Sequence, residues 1–158
     1  MTKLVWIGGL LIVLSLLAIH MIMKNNSIPN GLGVRSNQLA PLPASPNAVS
    51  SQTAETSRKV APLPYLQNRA ASRQRLLQVI QADLRTQILT EEPDYIHVVY
   101  TVPVIPFKDD VEFLLDDLEQ AIHLRSASRV GWSDLGVNRK RVEAIRQQYL
   151  GTAPRTAE

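Results

Sequence analysis

Two stretches carry more charge and hydrogen-bonding capacity than a fold of this size requires. They are Phe107-Lys108-Asp109-Asp110-Val111-Glu112-Phe113 and Arg125-Ser126-Ala127-Ser128-Arg129-Val130-Gly131-Trp132-Ser133-Asp134-Leu135-Gly136-Val137-Asn138-Arg139-Lys140-Arg141. If Asp116 to Glu119 closes a hairpin, Arg125 comes opposite Asp110 and Glu112. A guanidinium beside two carboxylates forms planar, charge-assisted pairs, so Asp109, Asp110 and Glu112 are read as structural acidic partners. Beyond Arg125 the chain offers hydroxyls at Ser128 and Ser133, a carboxylate at Asp134 and a helix start at Asn138. Free N–H groups at that start, with Arg139 and Arg141 beside them, suit an anion. The same positive charge opposes the helix dipole, a local cost that an acidic partner offsets. The candidate site for an anionic or polar ligand is therefore Arg125, Ser128, Arg129, Ser133, Asp134, Asn138, Arg139 and Arg141. Set against it is a plainer reading, in which Arg125, Arg129 and Asp134 only brace an irregular loop.

Other chemistries find less support. There is no cysteine, which excludes disulfides, thiolate metal sites and nucleophilic thiols. His97 and His123 lack a third placed ligand, so no metal site is expected. Asp109, Asp110, Glu112, Asp116 and Asp117 lack the glycine-centred spacing of a calcium loop. Neither a Gly-x-Ser-x-Gly elbow nor a phosphate-binding glycine loop occurs, and no cofactor is expected. A non-catalytic binding or scaffold module leads. The alternative is a hydrolytic enzyme using Asp134, His123 and a loop serine, so enzymatic activity stays open. Contact with anionic lipid through Arg139, Lys140, Arg141 and Arg146 is a third reading. The formal net charge of +3, without aromatics interleaved among the basic residues, argues against a nucleic-acid partner.

The elements that must position these residues follow from periodicity. With Ser72 as N-cap, Leu76, Leu77, Ile80 and Leu84 share one helical face. A strand over Arg85 to Glu91 and a turn at Glu92-Pro93-Asp94 lead into alternation from Tyr95. Ile96, Val98, Tyr100, Val102 and Val104 lie on one side, with His97 and Thr101 facing away. A third strand holds Val111, Phe113 and Leu115, and a fourth Ile122 and Leu124. Asn138 then caps a helix that buries Val142, Ile145 and Tyr149 and ends at Gly151. The predicted fold class is α+β: helix, four-stranded antiparallel meander, helix, with both helices packed on one sheet face and an N-terminal transmembrane helix before them.

Leu4 to Met23 is an apolar run flanked by Lys3 and Lys24, and twenty helical residues rise ~30 Å, the thickness of bilayer hydrocarbon. It ends in HMIMKNNSIPN, which offers no small-x-small cleavage site, so the anchor is expected to be retained. Residues 24–44 read as a tether by their proline, serine and asparagine content, with no apolar period for a helix or strand. Residues 45–151 form the α+β domain and 152–158 a disordered tail.

The two stretches above, with Ser45-Pro46-Asn47-Ala48-Val49-Ser50-Ser51-Gln52, resemble the family known as domain of unknown function 1499. The resemblance covers nearly everything after about Gly31. It implies a bacterial or photosynthetic-eukaryote protein, often set behind a membrane or export segment, and it brings no activity with it. It also implies that Asn47 to Gln52 is ordered on the domain. Cysteines often flank the Pro-Asn turn in that family; Ala48 follows Asn47 here, so a disulfide or redox role there does not apply. The expected location is the bacterial inner membrane, single-pass, with the C-terminal domain facing the periplasm. The expected contacts are the membrane, through Leu4 to Met23, and a small anionic or polar ligand.

Overall fold

Strand alternation places a different chemistry on each face of one antiparallel sheet. The computed structural model describes residues 2–103 and 106–151, so Val104 and the predicted tail at 152–158 lie outside the described residues. Four strands run as the expected meander: β5 (Thr86–Glu91), β6 (Tyr95–Thr101), β7 (Lys108–Asp116) and β8 (Ala121–Ser128). The sheet nevertheless has six strands, not four. Short β3 (Ala48–Ser50) and β4 (Leu63–Pro64) both add antiparallel to β8, giving the order β3-β8-β7-β6-β5 with β4 beside β8. Two or three residues are too few to show an alternation, and Pro64 sits on an edge strand, where its missing N–H costs no ladder bond.

The helix-facing side is apolar. Ile96, Val98 and Tyr100 of β6, Val111, Phe113 and Leu115 of β7, and Ile122 and Leu124 of β8 form one core with α2 (Arg69–Ala82) and α3 (Val137–Leu150). Leu76, Val79 and Ile80 enter from α2; Val142, Ile145 and Tyr149 enter from α3. Three helix-end expectations are corrected. Asn68 is the N-cap of α2, accepting from Ala71 N at 2.9 Å, one turn ahead of Ser72, which is buried within the helix. Leu84 lies beyond the helix end and is 98 % exposed. Asn138 lies inside α3 rather than capping it. The cap residue is Gly136, at φ 80°, a left-handed conformation that glycine adopts without steric cost. The capping side chain is that of Asp134, whose carboxylate accepts from Gly136 N at 3.1 Å and Asn138 N at 2.8 Å. Gly151 closes α3 as expected, at φ 71°.

The opposite face is covered as well, and this changes the reading of His97. Residues 25–47 pass across it and include a two-stranded hairpin, β1 (Val34–Arg35) and β2 (Gln38–Leu39), in a stretch whose composition suggests only an extended tether. Ser36 and Asn37 between them both have positive φ, 50° and 58°, the conformation that a two-residue hairpin turn needs. Leu39 packs on Tyr95 and Leu114, with Val34 alongside. His97 faces away from the helices, yet it is buried.

Ahead of the domain stands α1 (Thr2–Asn26), which contains the whole of Leu4 to Met23. Trp6–Asn26 has mean hydropathy 2.3, and none of that span is buried against the rest of the chain. It is one helix long and apolar enough to cross a membrane. Its C-terminal end is fastened to the sheet: Asn25 Nδ2 donates to Pro106 O and Asn25 Oδ1 accepts from Lys108 N, both at 2.9 Å.

Candidate functional site

On the non-helical face, alternation along β7 aligns Asp110, Glu112, Leu114 and Asp116, and β8 sets Arg125 directly opposite Glu112. The expected ion pair forms there, Arg125 Nη1 to Glu112 Oε2 at 3.0 Å. Glu112 Oε1 accepts two more bonds, from Tyr95 Oη at 2.9 Å and Gly33 N at 2.8 Å. Both of its oxygens are thereby engaged, as an ion buried at 0 % exposure requires. Burial, and then the charge of Glu112, push the Tyr95 phenol well above its usual range.

Asp110 belongs to a different arginine. Arg129 grips it through Nε–Oδ2 and Nη2–Oδ1, both 2.8 Å, and His97 Nε2–H donates to Oδ1 at 2.8 Å. Burial acts to raise the Asp110 pKa, but the hydrogen bonds from Arg129 and His97 outweigh it and hold the carboxyl below its ordinary value. Arg129 Nη1 also donates to Asn25 O at 3.2 Å, in the last turn of α1. Arg129 is thus a buried brace and not a loop residue opening to solvent.

Asp109 points to the other face, as adjacent strand residues must. There Arg141 pairs with it and stacks over the Tyr100 ring, 5.0 Å from the centroid. Burial pushes the Tyr100 phenol up to about 12. Asn138 is a hub between α3 and the sheet. Its Nδ2 lies 2.9 Å from Asn47 O, 2.9 Å from Ser128 Oγ and 2.8 Å from Asp134 Oδ2. Its Oδ1 accepts from Ser126 Oγ at 2.5 Å and Arg141 Nη1 at 2.8 Å.

The predicted site residues therefore divide. Arg125, Ser128 and Arg129 come together, with Lys24, Asn47 and Asp110, around a cavity of about 340 Å³ between β8 and residues 24–47. Arg125 Nε is buried and makes no hydrogen bond among the described residues. Asp134 and Asn138 belong to the hub, and Arg141 to the Asp109 pair. Arg139 is spent on the carbonyls of Lys59 and Ser57, at 3.0 and 2.8 Å. Ser133 is exposed and accepts from Leu135 N. These pairings offset the positive first turn of α3 from within the chain. Sequence reasoning overlooked Lys24 and His97, the first counted with the anchor and the second assigned to solvent.

A second polar group lies at the far end of the same face. Ser51 Oγ is 3.2 Å from His123 Nδ1, and His123 Nε2 lies 3.3 Å from Glu119 Oε2 and 3.7 Å from Asp116 Oδ2. This histidine's polar neighbours are not Asp134 and a serine of the 126–133 loop. Ser51 Oγ also accepts from Leu124 N at 2.9 Å and lies 3.3 Å from Leu124 O.

The family described as "Protein of unknown function (DUF1499)" matches residues 38–149, and the chain belongs to it. No curated protein matches the chain.

Proposed function

We propose that the protein is a membrane-anchored, non-catalytic binding module that holds a small anionic or polar ligand where the anchor meets the domain. The observation that carries this reading is Arg125, which lines the cavity and whose buried Nε–H has no hydrogen-bond partner among the described residues. A buried donor left unmade costs ~1–3 kcal/mol, which a ligand acceptor would recover. Charge points the same way: Glu112 balances Arg125 and Asp110 balances Arg129, which leaves the positive charge of Lys24 in excess at the cavity wall. The cavity's size, about 340 Å³, suits a small ligand. Residues 24–30 form part of its wall, so with α1 in a bilayer the cavity opens at headgroup depth. The single-pass inner-membrane location, with the domain in the periplasm, belongs to this same reading.

The test is a melting series of the full chain in detergent with phosphate, sulfate and small carboxylates. At a hundredfold excess over Kd a bound anion adds about 2.7 kcal/mol. Arg125→Lys keeps a charge for Glu112 and removes the Nε–H, so it should fold and lose the anion response. If no anion shifts the wild type, the cavity is structural.

A hydrolytic enzyme is the second reading, and the contact of Ser51 with His123 is what favours it. Against it, Ser51 is buried and its oxygen is engaged by the backbone of Leu124. Ester or amide turnover that vanishes in Ser51→Ala would establish it.

A further inference from the structure

The polar group at the β7–β8 turn contains a buried histidine nitrogen that makes no hydrogen bond among the described residues. His123 is 5 % exposed, and among the described residues its Nε2 has no hydrogen-bond partner, although two carboxylates approach it. Strand register explains the approach. Leu114 pairs with His123 and Asp116 with Ala121, so His123 and Asp116 emerge on the same face one diagonal apart. The turn brings in Glu119. Asp116 Oδ1 accepts from Leu118 N at 2.8 Å and Glu119 N at 3.1 Å, which fixes the turn and leaves Oδ2 directed outward to Asn37 Nδ2 at 2.6 Å.

Ser51 has one hydroxyl hydrogen. When that hydrogen goes to Leu124 O, Ser51 Oγ accepts from Leu124 N and from His123 Nδ1–H. The ring is then the Nδ1–H tautomer, and its Nε2 lone pair faces two carboxylate oxygens. Three electron-rich atoms turned toward one another repel unless a cation lies between them. An oriented imidazole with its second nitrogen held by a hydroxyl is how proteins present a histidine to a metal.

We propose that Asp116, Glu119 and His123 bind one divalent transition ion of the zinc or manganese class. The donor set is one imidazole nitrogen and two carboxylates, a mixture that suits such ions and gives little to a soft, thiolate-seeking ion. The spacing fits. Bonds of about 2.0–2.2 Å in a tetrahedral arrangement separate ligand atoms by roughly 3.3–3.6 Å. Nε2 is 3.3 Å from the Glu119 oxygen and 3.7 Å from the Asp116 oxygen, and all three ligand atoms lie within 4.8 Å of one another. Glu119 is largely exposed, so the fourth position is open to water or to an incoming group. The inference is independent of the cavity beside Arg125, at the other end of the face.

The experiment uses the full chain in detergent, stripped with a chelator, dialysed and then titrated with ZnCl₂ and, separately, MnCl₂. Bound metal is counted by elemental analysis and the affinity is read by calorimetry. We expect one ion per chain and a raised melting temperature on loading. Glu119→Gln is a surface change that should leave the apo melting temperature in place and weaken binding by about tenfold or more. His123→Gln should abolish binding, and Ser51→Ala should weaken it while keeping all three ligands. No bound ion on the wild type overturns the proposal. So does a Glu119→Gln chain that binds as tightly as the wild type, a result that decides the matter even if His123→Gln fails to fold.

Discussion

The Arg129 guanidinium lies against the Asp110 carboxylate in a two-bond fork, with both hydrogen bonds at 2.8 Å and both residues buried. Removing one partner of such a pair strands the other as an uncompensated buried charge. Arg129→Ala should therefore destabilise the protein by about 3–5 kcal/mol, as the bracing reading of this arginine requires. Denaturant unfolding of the full chain in detergent measures it. A loss under about 0.5 kcal/mol, the range of ordinary surface substitutions, would show that the fork does not form.

Asp110 also gives the brace a pH dependence of definite sign. Its folded pKa is depressed, so its contribution is fully present above the unfolded value of about 4. The contribution is lost as pH falls through the lower folded value, because in that window the unfolded chain binds more protons. Asp134 is lowered too: burial opposes, but the N–H groups of Asn138 and Gly136 outweigh it, and its window has the same sign. Unfolding free energy measured from pH 5 down to pH 2 should fall steeply below about pH 4. The slope should be shallower in Asp110→Asn, whose deficit against the wild type is full above about pH 4 and narrows as the pH falls. Parallel slopes would mean that Asp110 is not ionised in the fold.

Val98 and His97 test both faces of β6. Val98 is at 0 % exposure in the helix-facing core, so Val98→Asp buries an unpaired carboxylate and should prevent folding. His97→Asp places a second carboxylate beside Asp110 where a hydrogen-bond donor stood. It should also be severe, costing about 3 kcal/mol or more as a buried charge without a partner. The thermal shift of each variant decides. A mild His97→Asp would mean that residues 25–47 do not cover that face.

What could be read in the chain was whatever had a period. Ile96, Val98 and Tyr100, or Val142, Ile145 and Tyr149, announce their faces because one side of each element is apolar. The Arg125–Glu112 pair was legible because hairpin register is set by the turn. Arg129 was not, because it lies past the last strand and only tertiary packing decides whether such a residue turns inward. β3 and β4 are shorter than one full alternation, and the cover over His97 comes from a stretch whose prolines and asparagines look like a tether. The Asp116–Glu119–His123 group escaped for a related reason. A search for a third ligand beside His97 and His123 looks along strands, and here Asp116 ends β7 and Glu119 comes from the turn that follows it.

The Asn138 hub yields the sharpest test of how the loop before α3 is held. Its two Nδ2 hydrogens are shared among Asn47 O, Ser128 Oγ and Asp134 Oδ2, whereas its Oδ1 accepts from Ser126 and Arg141. Asn138→Asp preserves shape and the acceptor bonds but deletes every donor. It removes one of the two bonds to the Asn47 carbonyl, which keeps Ser128 N at 3.1 Å, and sets one carboxylate about 2.8 Å from another at Asp134. Each lost hydrogen bond costs about 0.5–1.5 kcal/mol, and like-charge repulsion adds to it. Changing Asp134→Asn in the same chain exchanges donor and acceptor across that contact and removes one charge, so the double variant should recover part of the loss. Coupling of about 0.5 kcal/mol or more in a double-mutant cycle is the expected result for residues in direct contact. Ser133→Ala, on the exposed side of the same loop, should stay within about 0.5 kcal/mol of wild type. Should Asn138→Asp prove equally harmless, or its cycle with Asp134 show no coupling, the loop is held by something other than this asparagine.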